Sequence, residues 1–180
     1  VEVMGNARTD ADVIPTAEAF NEDIGKVTIR VNKEVPGHVA NRLQAAVWRE
    51  AIHLVQSGVA SVGDVDKAMS AGPGRRWAAM GPTALFGLGA GAGGLRAFCD
   101  HFADTFNGWW ADLGDPTLDA DTAEMLVKGL SEATDGRSVA ALAAQRDAMI
   151  LSLLKALRSQ GANGTQPASE TACHSASTAA

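Results

Sequence analysis

Lys33-Glu34-Val35-Pro36-Gly37-His38-Val39-Ala40-Asn41-Arg42-Leu43 is the stretch where the chain changes character. Before it, short apolar and alternating segments read as strands around one helix. After it, apolar residues recur at helical spacing almost to the end. Pro36 and Gly37 break the chain, and a helix is expected from there to about Gln56. Its apolar stripe is Val39, Leu43, Val47, Ala51, Leu54 and Val55, and Gly58 stops it. Asn41 and Arg42 then fall in the first turns of a helix that follows a strand. Asn41 is polar beside the apolar stripe. On periodicity alone two readings stand equally: a helix-start residue that satisfies its own backbone, or a polar group offered to a ligand.

Working towards the N-terminus, Val27, Ile29 and Val31 alternate with polar residues, so Lys26 to Val31 reads as a strand. Residues 11 to 24 read as a helix with Ile14, Ala17, Phe20 and Ile24 on one face. Gly25 is placed as its C-terminal stop. Val1 to Met4 suits a short buried strand. Strand, helix, strand is half of an α/β unit and cannot be a whole α/β domain. The sequence starts at Val1 rather than Met, so an upstream segment is expected to be missing and targeting cannot be read from this end.

Towards the C-terminus, Ser61 and Asp64 resemble a capping box, which predicts a short helix over Val62 to Ser70. Gly72, Pro73 and Gly74 break the chain, and Arg76 to Met80 is a brief ordered stretch. Pro82 can begin a helix at its first position. Leu95 to Leu113 reads helical, with Phe98, Phe102, Phe106, Trp109 and Trp110 as its large apolar residues. The phenylalanines suit a core or a subunit contact. The adjacent tryptophans cannot both point inward, so one of them is expected to meet a partner surface. Further helices are expected over Asp119 to Glu132 and Ser138 to Ser159. Val139, Leu142, Met149, Leu153, Leu154 and Leu157 form the expected buried side of the last one. The small and polar residues after Gln160 predict a disordered tail over 161–180.

The 180 residues are 46% hydrophobic and 20% charged, a globular balance. A net charge of −6 argues against sequence-independent nucleic-acid binding, which needs a basic footprint. No run of about 20 apolar residues occurs, so no membrane span is expected. Two distant cysteines, Cys99 and Cys173, suit reduced thiols and a cytoplasmic protein. His38, His53, His101 and His174 show no metal-ligand spacing, so no metal is expected. His53 reads as a surface histidine of a helix. Gly89-Ala90-Gly91-Ala92-Gly93-Gly94 fits the glycine pattern of a dinucleotide loop. That loop needs a strand before it, and Pro82 to Leu88 reads as a helix. A close helix connection is the better reading.

Taken together, the motifs resemble a family. Glu34 to Leu43 is similar to the motif that opens the helical C-terminal domain of 3-hydroxyacyl-CoA dehydrogenases. Arg49-Glu50-Ala51, Leu54 to Val59, Asp64 to Asp66 and Gly74 to Pro82 keep the family's order and spacing. Val1-Glu2-Val3 resembles the end of the family's His…Leu-Val-Glu-Val strand. Phe86 to Gly91 lacks the aspartates of the fatty-acyl-CoA branch. Arg76-Trp77 and the segments around Glu124 and Gln145 to Asp147 look closer to the branch of L-gulonate 3-dehydrogenase, lambda-crystallin and carnitine dehydrogenase.

The resemblance implies a mainly α fold: a helical C-terminal dimerisation domain of the 6-phosphogluconate-dehydrogenase-like type, preceded by a β-α-β remnant of a Rossmann domain. It divides the chain into the end of an NAD-binding domain over 1–35, the helical domain over 36–160 and the tail. It implies oxidation of a 3-hydroxyl group with NAD, the main cofactor site and the catalytic His lying upstream of Val1. Glu2 matches the carboxylate that orients that His. Asn41 matches the residue that hydrogen-bonds the substrate oxygen. Arg76 matches a basic residue of the substrate pocket, and a surface ion pair is its equal alternative. The partners implied are a small hydroxy acid or hydroxyacyl-CoA and a second copy in a homodimer, and this chain alone is expected to be inactive. The alternative is a non-catalytic helical dimerisation or crystallin-like structural protein.

Overall fold

A computed structural model describes residues 1–159. The expected disordered tail over 161–180, with Cys173 and His174, lies outside the described residues. The N-terminal unit is β1 (Glu2–Val3), α1 (Val13–Asp23) and β2 (Ile29–Arg30), with the two strands parallel and Glu2 opposite Ile29. Both strands are shorter than the alternation suggests. The amides of Ile29 and Val31, bonded to the carbonyls of Val1 and Val3, and the Val1 amino group, bonded to the Val27 carbonyl, extend the pairing. Val3 and Val31 are buried between the strands and α1. Gly25 stops α1 at φ 76°, a left-handed conformation that glycine adopts freely, and the Lys26 amide closes on the Asn21 carbonyl. Arg30 pairs with Glu18 of α1, and this guanidinium holds the Glu18 carboxyl below its ordinary range.

The remainder is helical: α2 (Ala40–Gln56), α3 (Val62–Ala71), α4 (Pro73–Ala79), α5 (Pro82–Leu88), α6 (Gly94–Asp112), α7 (Ala120–Ala133) and α8 (Val139–Ser159), with a 3₁₀ turn at Gly91–Gly93. Ser61 caps α3 as its spacing predicts, accepting the Asp64 amide at 3.1 Å. Pro73 starts a helix at its first position, where the sequence suggested only a break. Asp119 caps α7 through the Thr122 amide, which keeps its carboxyl low.

Helix α2 packs against α3 and α7, α3 packs against α4 and α7, and α5 packs against α6. Two polar links fasten α7 and its leading loop to α2. Thr122, which is buried, accepts from Gln56 Nε2 at 2.6 Å and donates to the Thr117 carbonyl. Glu50 accepts the Gly114 amide at 2.9 Å. Gly114 lies against the ring of His53, where a Cβ would overlap the imidazole. His53 is therefore half-buried under this loop rather than open on the surface.

Two apolar expectations are corrected. In α2 only Ile52 is buried, while Val39, Leu43 and Val47 of the expected stripe are exposed. In α8 the apolar residues spread over Met149, Ile150, Leu151, Leu153 and Leu154 rather than along one face. No other described element packs extensively against them, and Val139 is 83% exposed. As their adjacency requires, Trp109 and Trp110 do not both point inward; both lie open, each with its ring against Phe106. Periodicity identifies apolar faces, but it does not say whether this chain or another surface covers them.

Gly129 in α7 tests the α3–α7 packing. Alanine is the better helix former by about 1 kcal/mol, but a Cβ at Gly129 would overlap Cγ2 of Val62. Val62 is β-branched and cannot swing away easily. Gly129→Ala is predicted to lower stability by ~1–3 kcal/mol in chemical denaturation. A gain in stability would show that α3 and α7 are not in close contact.

Candidate functional site

The candidate site forms where β1 meets the start of α2. Val3 points into the small core, and the strand's two-residue period turns Glu2 to the other face. The chain leaves β2 and turns at Pro36 to Val39, with Gly37 at φ 77° and His38 at φ 49°. This left-handed pair is why α2 begins at Ala40 and not at Pro36. The His38 amide closes the turn on the Val35 carbonyl at 3.0 Å. Val39, at the cap position, has no side chain able to satisfy the first amides of α2. Glu2 does so from 37 positions away: its Oε1 accepts the Val39 amide at 3.1 Å and the Ala40 amide at 2.7 Å. Its Oε2 stands 3.3 Å from His38 Nδ1.

A carboxylate at a helix N-terminus gains from both the unpaired amides and the helix dipole. The sequence signal for this contact was available but indirect. A helix opening on Val39-Ala40 without Ser, Thr, Asp or Asn needs a cap from elsewhere, and Glu2 is the acidic residue of the preceding strand.

Asn41 follows directly after the amides that Glu2 holds. It is exposed, and its side chain makes no hydrogen bond among the described residues. Because Glu2 satisfies the helix start, Asn41 is not occupied with that task. Glu2 and Asn41 therefore both belong to the start of α2, without a hydrogen bond between them among the described residues. Arg76 lies elsewhere, in the last turn of α4, exposed and without an ion pair among the described residues. It meets neither Glu2 nor Asn41 through a hydrogen bond. The glycine run from 89 to 94 follows helix α5 and contains a 3₁₀ turn. It lacks the strand that a dinucleotide cradle requires, so these residues do not fit the NAD pyrophosphate.

The chain is similar in sequence and fold to known dehydrogenases. Residues 37–123 match the 3-hydroxyacyl-CoA dehydrogenase, C-terminal domain, family. The L-carnitine dehydrogenase of Streptomyces coelicolor is 46% identical over 156 residues, covering 87% of this chain and 49% of that protein. The L-carnitine dehydrogenase of Pseudomonas putida is 39% identical over 163 residues, covering 91% and 51%. Among solved structures, a 5-formyl-3-hydroxy-2-methylpyridine 4-carboxylic acid 5-dehydrogenase, described as an NAD+ dependent dismutase, superposes with a TM-score of 0.56 at 31% identity. That match covers 66% of this chain and 36% of the other. The chain spans about half the length of the curated relatives it matches.

The Glu2 contact carries a stability prediction. Glu2→Ala removes the one side-chain acceptor, among the described residues, for two helix-start amides and is expected to cost about 1 kcal/mol, the usual worth of a cap. Glu2→Gln keeps one acceptor oxygen and should cost less. Equal stability of wild type and Glu2→Ala in denaturant titration would mean that water caps α2.

Proposed function

We propose that this chain, which belongs through residues 37–123 to the 3-hydroxyacyl-CoA dehydrogenase family, is the C-terminal portion of an NAD-dependent oxidoreductase. The reaction converts the 3-hydroxyl of a hydroxy acid or 3-hydroxyacyl-CoA to a ketone, with an L-carnitine-like short polar substrate favoured. The L-carnitine dehydrogenases among its relatives support that preference. The observation that carries the reading is the Glu2 carboxylate held by the first amides of α2, immediately before Asn41. NAD, held mainly by the half of the protein that this chain does not span, supplies the hydride acceptor when bound.

The residues of this chain take the other tasks. Asn41 donates its amide N–H to the substrate oxygen, where negative charge develops as the hydroxyl proton leaves. Glu2, fixed by two backbone amides, orients the base that takes this proton and stabilises the imidazolium that forms. Arg76 grips a substrate carboxylate with two parallel hydrogen bonds, which requires the site to close over α4. Residues 1–35 complete the NAD-binding domain, and 36–160 form the helical domain. The open Trp109, Trp110 and apolar α8 favour a homodimer through that domain. No helix among the described residues is long and apolar enough to cross a membrane. We place the protein in the cytoplasm, where two distant cysteines stay reduced.

The test is NADH formation by the full-length protein with L-carnitine, L-gulonate and 3-hydroxybutyryl-CoA. Turnover is expected with at least one of them, L-carnitine foremost. Asn41→Ala should lower kcat by on the order of 100-fold with little change in melting temperature. Arg76→Ala should act mainly on KM for a carboxylate substrate. Absence of NADH formation with every substrate would favour the non-catalytic helical protein. Normal turnover in Asn41→Ala would leave Asn41 as a surface residue of a helix start.

A further inference from the structure

His38 holds a backbone conformation that costs most residues energy. Its φ of 49° lies in the left-handed region, shared among non-glycine described residues only with Asp135. Its side chain is half-buried, and it places Nδ1 3.3 Å from Glu2 Oε2. The other oxygen of the same carboxylate is fully engaged by the Val39 and Ala40 amides. A carboxylate offers about four lone-pair positions, two on each oxygen. Oε1 has both taken. Oε2 accepts no hydrogen bond among the described residues, and the His38 imidazole stands beside it at 3.3 Å, an ion-pair distance.

We infer that His38 is a positioning residue for Glu2. Its imidazole flanks the second carboxylate oxygen at 3.3 Å and limits the carboxylate's rotation, so that the open side of Oε2 faces the N–H of the base. The unfavourable turn at Gly37-His38 is what brings the ring there. A right-handed residue at position 38 would carry the side chain away from Glu2 and lengthen α2 towards Pro36. The inference rests on the proposed dehydrogenase reading for its consequence in turnover, but the Glu2–His38 contact stands without it.

Three substitutions in the full-length protein separate the ring's contact from the backbone's strain. Asn tolerates the left-handed region and keeps an N–H donor near the δ position. Gly relieves the backbone and removes the side chain. Phe keeps the ring without a donor. His38→Asn is expected to stay within about 3-fold of wild-type kcat, whereas His38→Gly and His38→Phe should lose ~10-fold or more, the usual size of such supporting contacts. KM for the hydroxy acid should be unchanged in all three. Wild-type kcat in His38→Gly, or losses in kcat and KM together in all three variants, would overturn the inference. Melting temperatures over Glu2→Gln, His38→Phe and the double variant read the contact without turnover. The two effects should not add. Additivity would overturn the Glu2–His38 contact, whereas a wild-type protein inactive with every substrate would overturn only the dehydrogenase reading.

Discussion

One carboxylate fastens the two parts of this chain together. Glu2 lies on a two-residue strand, and the amides it accepts open a seventeen-residue helix. The strand pair and α1 hold very little core of their own, with Val3 and Val31 as their buried apolar residues. Helix α2 in turn carries the contacts to α3 and α7 and the polar links to Thr122 and Gly114. The direction of α2 relative to β1 therefore depends on a charge-assisted contact rather than on burial. Such contacts are short-ranged and directional, which suits a place where a base and a substrate oxygen must be aligned.

The uncovered apolar surface follows from the same construction. Ile52 is the one buried hydrophobic residue of the helical part among the described residues, while large residues of α2, α6 and α8 lie open. An isolated soluble surface rarely carries so much contiguous apolar area. The chain spans about half the length of its curated relatives. The aromatic cluster of Phe86, Phe98, Phe102 and Phe106 is extended outward by the two exposed tryptophans, Trp109 and Trp110.

Much of this was legible in the sequence where local chemistry decides the outcome. Ser61 and Asp119 satisfy amides three positions away, Gly25 and Gly58 stop helices at positive φ, and Pro82 begins one. The motif from Glu34 to Leu43 pointed to the family before any geometry. What the sequence did not disclose depends on distant partners. The cap on α2 comes from 37 residues away, and His53 is covered by Gly114. The start of α2 was misplaced because Gly37 and His38 adopt left-handed conformations that hydrophobic periodicity cannot register. Helix α8 differs for the opposite reason: its apolar content is real, but no other described element covers it.

Hydrogen exchange at the Val39 and Ala40 amides tests the Glu2 contact most directly. Both lie at a helix start, where amides ordinarily exchange fast unless a side chain holds them. In the wild-type protein they should be protected, and in Glu2→Ala they should exchange markedly faster while the interior amides of α2 keep their protection. Equal exchange in the two proteins would contradict the account, because the carboxylate would then not hold the helix on which the site is built.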